Sequence, residues 1–385
     1  MKFTNLLTCA VLLNGPLFSM AQPAAGMPQC TQGEPLVCGC YPAAYNLPAV
    51  YAVNDKGCWS WLNAFVDASF TYWYAGEEGL PLAENGVLST TTLFFPQNIT
   101  TVFQSFNYKP GFKVALGIVG NHEWSIFADY TWFRGNNTSN SGAPPSLEIT
   151  TAGATTLTGT PVWVVDDWFL QGSGSQALAG TNVTSKWRLA MDLVDLSGSR
   201  PFYEGPNLTI NPYGGLRAAF IRQKMTVGLT QSTGYLTGAV PFIQSRNSSH
   251  SWAIGPRMGV NSNWLCCGGF RFEGDFAASL LYTRYTSVKH SEDSASTDFN
   301  PGSFTASYRN YGCLRPITEV GLGIGWGSYF WCCDYHIDFS ADYEFAYYWD
   351  QNMMRKLLDD TLTGTSPAAA DLYTHGLTLT ARLDF

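Results

Sequence analysis

The sequence predicts an all-β protein: a transmembrane antiparallel β-barrel with short periplasmic turns and long extracellular loops. Ten strands can be read directly, and twelve or fourteen stay open. Three observations carry this. Charged residues make up only 13% and aromatics reach 15%, against about 25% charged in ordinary soluble domains. Apolar and polar residues alternate with the period of two that separates the faces of a strand. The connections between alternating segments are short and long by turns, as in barrels of the outer membrane. Mean hydropathy is −0.05, and nothing after the N-terminus approaches the roughly 18 to 20 uninterrupted apolar residues of a spanning helix. A secreted sandwich or lectin would share the Gly and aromatic content, but it has no reason to alternate its connection lengths so strictly.

In chain order, residues 1–21 read as a cleaved signal peptide. Lys2 supplies the charge, Leu6 to Leu13 the apolar stretch and Ser19-Met20-Ala21 the small-x-small site. Cleavage would remove Cys9 and Lys2, leaving nine cysteines and 20 Lys and Arg against 29 Asp and Glu, a net charge of −9. That acidic balance argues against a nucleic-acid partner. Residues 22–60 form a Cys- and Pro-rich periplasmic segment, and 61–385 the barrel.

The first strand, "NAFVDASFTYWY", sets Val66, Phe70, Tyr72 and Tyr74 against Asp67, Ser69 and Thr71. "GFKVALGIVG" and "WSIFADYTWFR" flank the tight "GNHE" and read as a hairpin, with Lys113 and Asp129 on the polar face. "KWRLAMDLV" is expected to turn Trp187, Leu189, Met191 and Leu193 to lipid and Arg188 inward. Strand five runs from Leu208 to Phe220 with Arg217 inward, and "SWAIGPRMGV" places Arg257 inward. "FRFEGDFAASLLY" opposes its phenylalanines to Arg271, Glu273 and Asp275. Pro316 to Trp326 opposes Val320, Leu322 and Ile324 to Glu319 and glycines. The ninth strand sets Tyr335, Ile337, Phe339, Tyr343 and Phe345 against His336, Asp338, Asp342 and Glu344. The tenth, "GLTLTARLDF", carries Leu377, Leu379, Ala381, Leu383 and Phe385 on one face.

Even-numbered connections are short (120–123, 197–207, 261–269 and 327–333). Odd ones are long (75–110, 135–184, 223–249, 286–315 and 350–371). Asn137 and Ser294 are therefore expected on the cell surface and Gly205 in the periplasm. "VWVVDDWFL" and "MTVGL" are further β-prone pieces within long connections, and "QNMMRKLLDD" reads as a helix in the last outer loop.

Several segments resemble the major-outer-membrane-protein-like porins of the Legionella and environmental chlamydial type. They are "FVDASFTYWYAGEEGL", "YKPGFKVALGI", "IFADYTWFRG", "KWRLAMDLVDL", "NPYGGLRAAFI" and "YEFAYYWDQNMM", in the family's order across nearly the whole mature chain. The resemblance implies an outer-membrane barrel, a porin, with no catalytic residues. Separately, Phe385, closing an alternating strand, resembles the signal by which the outer-membrane assembly machinery reads its substrates; packing at the barrel seam is the alternative role.

The lumen expected from alternation holds a basic arc of Lys113, Arg188, Arg217, Arg257 and Arg271. Facing it is an acidic group of Glu273, Asp275, Glu319, Asp338, Asp342 and Glu344, with Asp67 across the seam. A field between the two arcs would suit small polar solutes and ions. The alternatives are a surface adhesin or structural barrel without an open pore, or a barrel hydrolase using His336 and Asp338. No G-x-S-x-G or H-E-x-x-H supports the last, and no cofactor or metal is expected. Cys30, Cys38, Cys40, Cys58, Cys266, Cys267, Cys332 and Cys333 map to the oxidising periplasmic end and are disulfide candidates. Expected partners are outer-membrane lipid, further copies of the chain and, as the chlamydial resemblance implies, disulfide-linked envelope proteins.

Overall fold

The computed structural model describes residues 63–89, 92–94, 99–120, 124–145, 149–151, 155–157, 159–165, 167–169, 178–205, 207–232, 240–266, 269–294, 304–330, 335–363 and 369–385. The expected signal peptide and the expected Cys- and Pro-rich periplasmic segment fall outside these residues. So do Cys30, Cys38, Cys40, Cys58, Cys267, Cys332 and Cys333.

Ten strands build the barrel: β1 (Asn63–Glu77), β2 (Tyr108–Val119), β3 (Ser125–Asn140), β4 (Asn182–Ser199) and β5 (Leu208–Ser232), followed by β6 (Val240–Leu265), β7 (Phe270–Ser294), β8 (Tyr311–Phe330), β9 (Tyr335–Asn352) and β10 (Ala370–Asp384). Each pairs antiparallel with its sequence neighbours. β10 returns to pair with β1 along Phe65↔Asp384 to Glu77↔Leu372, and the sheet closes without an edge. At this seam Gly376 has φ +154°, and a Cβ there would lie 2.3 Å from the Tyr72 carbonyl oxygen, so only glycine fits.

The remaining long-loop strands do not enlarge the barrel, so ten is its strand number. Instead Pro81–Ser89, Thr92–Phe94, Thr101–Phe103, Thr160–Val165 and Leu178–Gly180 make a second, five-stranded sheet. "MTVGL" simply continues β5. The helical reading of the last outer loop holds as α1, Met353–Thr363.

A bilayer needs about 9 to 11 residues of tilted strand. β5, β6 and β7 have 25, 26 and 25. On β5 the outward apolar run spans Leu208 to Phe220; Arg222, Lys224 and Thr226 follow on the same face. The upper part of these strands therefore stands beyond the membrane. This corrects one connection: β5 and β6 are joined by 233–239 alone, not by a loop over 223–249. It also moves Asn137, which lies in β3, faces inward and is 3% exposed; its Oδ1 accepts from the Asn107 N–H at 3.0 Å. Gly142 is the better surface site, with nothing within 4 Å of a built Cβ. An epitope inserted after Gly142 should be stained on intact cells. The same epitope at Gly205 should stain only after permeabilisation, and the reverse pattern would invert the topology.

Candidate functional site: the charged lumen and the septum above it

The inward residues of the lower half are polar because they face neither lipid nor the packed core. They surround a cavity of about 320 Å³ lined by eight carboxylates (Asp67, Asp129, Asp195, Glu273, Asp275, Glu319, Asp342 and Glu344) and four cations (Lys113, Arg217, Arg257 and Arg382). The lining is net acidic.

The charges do not stand as two opposed arcs, which corrects the expected field. They interleave. Arg217, 3% exposed, gives its Nη2 to Asp195 at 2.6 Å and its Nη1 to Glu319 at 2.7 Å. Arg257 takes the other Glu319 oxygen at 2.8 Å. Lys113 reaches across to Glu344 at 2.7 Å, and Arg271 holds Asp338 at 2.7 Å and Glu273 at 2.5 Å. Arg382 bonds Asp384 at 2.8 Å and lies 3.7 Å from Asp67. Asp275 accepts from the Tyr213 hydroxyl at 3.1 Å, and Asp342 from Ser340 at 2.8 Å. The glycines of β8 make this density possible: a Cβ on Gly325 would lie 2.1 Å from Glu273 and 2.6 Å from Arg271.

Arg188 is not in the lumen. β4 presents its odd residues inward, so Trp187, Leu189, Met191 and Leu193 are buried inside the barrel and Arg188 is exposed outside. The apolar face expected to meet lipid meets protein instead. Sequence reasoning leaves Asp195, Tyr213, Arg382 and Asp384 out of the lumen set. Continuing the odd alternation of β4 to Asp195, Ser197 and Ser199 would have found the first.

The upper lumen is apolar and packed. Trp73, Phe133, Trp187, Met191, Met225 and Leu281 from the wall form one buried cluster with Leu80, Leu82, Trp163, Trp168 and Phe169 of the second sheet and its connections, and with Met354 and Leu358 of α1. Trp168 donates to the Pro81 carbonyl at 2.5 Å, and Arg355 of α1 bonds Asp167 at 2.8 Å. Glu77, buried in this cluster, accepts from Trp187 at 2.5 Å and from Gln223 at 2.6 Å. The loops thus fold inward as a septum above the charged cavity.

His336 and Asp338 share the inner face of β9 but serve other partners. His336 Nδ1 is 3.0 Å from Asp384, and both Asp338 oxygens engage Arg271. Cys266 opens the β6–β7 turn, where its N–H donates to the Phe270 carbonyl at 2.8 Å. Its thiol is exposed and unbridged among the described residues. Cys313 is likewise unbridged among the described residues. Phe385 is half exposed on the outer face, and its N–H and C=O both pair with Ala64 at 2.9 Å.

Among solved structures, the chain is similar to the outer membrane protease OmpT of Escherichia coli (12% identity, 84% of this chain and 96% of that one, TM-score 0.39). It is also similar to a major outer membrane protein of Thermus thermophilus (11%, 84% and 99%, 0.28) and to a Pseudomonas aeruginosa FadL homologue (9%, 89% and 93%, 0.26). No curated protein matches it. The family described as the Legionella pneumophila major outer membrane protein precursor matches residues 65–385. That match covers all ten strands of the closed barrel almost entirely, and this chain is an outer-membrane β-barrel protein of that family.

Proposed function

We propose that the protein is a porin for small polar solutes and ions, closed at rest by the septum. The observation that supports this reading most is the cavity of about 320 Å³ with its eight carboxylates and four cations. A barrel that only filled space would gain more from apolar packing there, because buried ion pairs rarely repay their desolvation. A ten-stranded barrel lies between the filled eight-stranded and the open sixteen-stranded cases, so a narrow path is in keeping with its size. The septum favours a second reading, a structural barrel that never conducts. The exposed thiol of Cys266 would suit such a barrel, linked through a disulfide to a neighbouring envelope protein. A hydrolase is not supported, since His336 and Asp338 are committed to Asp384 and Arg271.

Liposome swelling separates the first two readings. Wild-type protein should admit glycine slowly. A variant with residues 353–363 replaced by a short Gly/Ser linker should admit it several-fold faster. If neither variant admits it while both run as folded barrels on unheated gels, the porin reading fails and the structural one stands.

In the same opened variant, Asp275→Asn with Asp342→Asn should lower the cation-over-anion permeability ratio by roughly twofold, because fixed carboxylates concentrate cations in a narrow lumen. Neither residue forms an ion pair among the described residues, so no arginine or lysine is orphaned. An unchanged reversal potential in a salt gradient would remove both residues from the conducting path.

A further inference from the structure

The outer surface of the barrel is not uniform in charge. On three strands an arginine follows two residues after the last lipid-facing aromatic: Arg134 after Trp132, Arg222 after Phe220 and Arg284 after Tyr282. Two residues of strand are about 6.6 Å. These arginines thus stand just outside the apolar band, where the headgroups of the outer leaflet begin. Lysines and arginines continue above them in register. Arg188 of β4 pairs with Lys224 of β5, Lys224 with Ser248 of β6, and Ser248 with Lys289 of β7. One step higher, Lys186 pairs with Thr226, and Thr226 with Arg246.

More than a third of the chain's 21 Lys and Arg therefore stand on the outer wall of β3 to β7. Across five strands at about 4.8 Å spacing, the patch is about 19 Å wide. Among the described residues only Asp192 and Asp293 oppose it on this wall. Asp192 takes Arg134 at 2.8 Å and lies 3.7 Å from Arg222, and Asp293 takes Arg246. Lys186, Arg188, Lys224, Arg284 and Lys289 have no carboxylate partner among the described residues.

The opposite wall at this height is built differently. Tyr74 stacks there on Tyr373 and His375, and Tyr108 meets Tyr74 and His375 edge-on. The nearby acids Asp371 and Glu78 accept from the Tyr347 hydroxyl at 2.7 and 3.4 Å. Uniform solvation of the protruding barrel would not sort the two walls in this way. A one-sided basic field on a chain of net charge −8 repels itself unless anions cover it.

We propose that the outer wall of β3 to β7 binds phosphate-bearing lipid of the outer leaflet. The aromatic row packs on the acyl chains, and the basic rows engage the headgroup phosphates. Arg134, Arg222 and Arg284 stand at the depth of the first phosphate, and guanidinium groups bind phosphate by paired, charge-assisted hydrogen bonds. Arg188, Lys224 and Lys289 meet charge farther out. The surface lies outside the lumen, so this holds whether or not the barrel conducts.

The test uses the full mature chain in phosphatidylcholine nanodiscs, with diphosphoryl lipid A as the probe and retained lipid quantified by mass spectrometry. Wild type should retain lipid A, and dephosphorylated lipid A should bind at least tenfold more weakly. The triple variant Arg188→Gln, Lys224→Gln, Lys289→Gln should lose at least tenfold in retention while keeping the unheated gel mobility of a folded barrel. If that variant fails to fold, Arg284→Gln alone is expected to lose about threefold. Unreduced retention by the folded variants, or equal binding of the dephosphorylated lipid, overturns the proposal. So does full displacement by inorganic phosphate at equal concentration, which would make the patch a site for free phosphate.

Discussion

Trp168→Ala should turn a closed barrel into a conducting one. Trp168 is fully buried at the heart of the septum, and its indole N–H is bonded to the Pro81 carbonyl. Removing a buried tryptophan costs about 3–5 kcal/mol. That cost falls on the closed state alone, because a displaced septum already leaves the side chain unpacked. Each 1.4 kcal/mol is a factor of about ten, so even the lower bound raises the open population by roughly a hundredfold. Planar-bilayer recordings should show long openings in the variant and rare ones in wild type. Phe103→Ala is the control: Phe103 is on the same inner sheet but 62% exposed, and its loss should leave gating unchanged. Equal open probability in Trp168→Ala and wild type would show that the septum does not control the path.

The second large effect lies in the charged layer beneath. Arg217→Met should lower the unfolding free energy by about 3–5 kcal/mol, the usual loss when one member of a buried ionic group is removed. The cause is the stranded carboxylate rather than the missing bond. Asp195, 5% exposed, loses both of its short contacts to Arg217, and Arg257 stands 3.8 Å away. Glu319 keeps Arg257 at 2.8 Å. Adding Asp195→Leu to Arg217→Met should therefore recover most of the loss, and the double-mutant cycle would give a coupling of that sign. Urea titration in lipid vesicles measures both. A single variant that unfolds at the wild-type urea concentration would mean that the cluster is already hydrated and contributes little.

Where a strand has lipid on one side and a polar lumen on the other, the sequence is easy to read. β9 alternates Tyr335 to Phe345 against His336 to Glu344, and each side chain faces as its polarity requires. β4 is harder. Its inner face is apolar where it meets the septum and polar lower down, while its outer face carries Asp192 level with Trp132 and Phe220 and, beyond them, Arg188 and Lys186. Alternation gives the period of a strand but not which face is inside. That inference needs to know what covers the face, and the cover comes from loops distant in sequence. The septum was illegible for the same reason: "VWVVDDWFL" announces a strand, and nothing in it says that the strand packs inside the barrel. Charge pairing escapes too, because Arg217 and Glu319 lie 102 residues apart and meet only across the lumen.

The seam between β1 and β10 sets an order of events. Every other barrel pairing joins strands consecutive along the barrel path, so it can form as soon as both have been made. At the seam Ser69 and Thr380, 2.9 Å apart, are separated by 311 residues. The entropy of closing so long a chain grows only logarithmically with length, so this contact costs the finished molecule little. Its kinetic weight is larger, since distant pairings are the slow ones. Until it forms, two full strand edges present unpaired N–H and C=O groups, a template for joining another chain. Gly376 sharpens the point: the seam closes only over a residue without a side chain, so a substitution there would lengthen the open-sheet stage and raise edge-to-edge association during assembly, even in a protein whose closed form is stable.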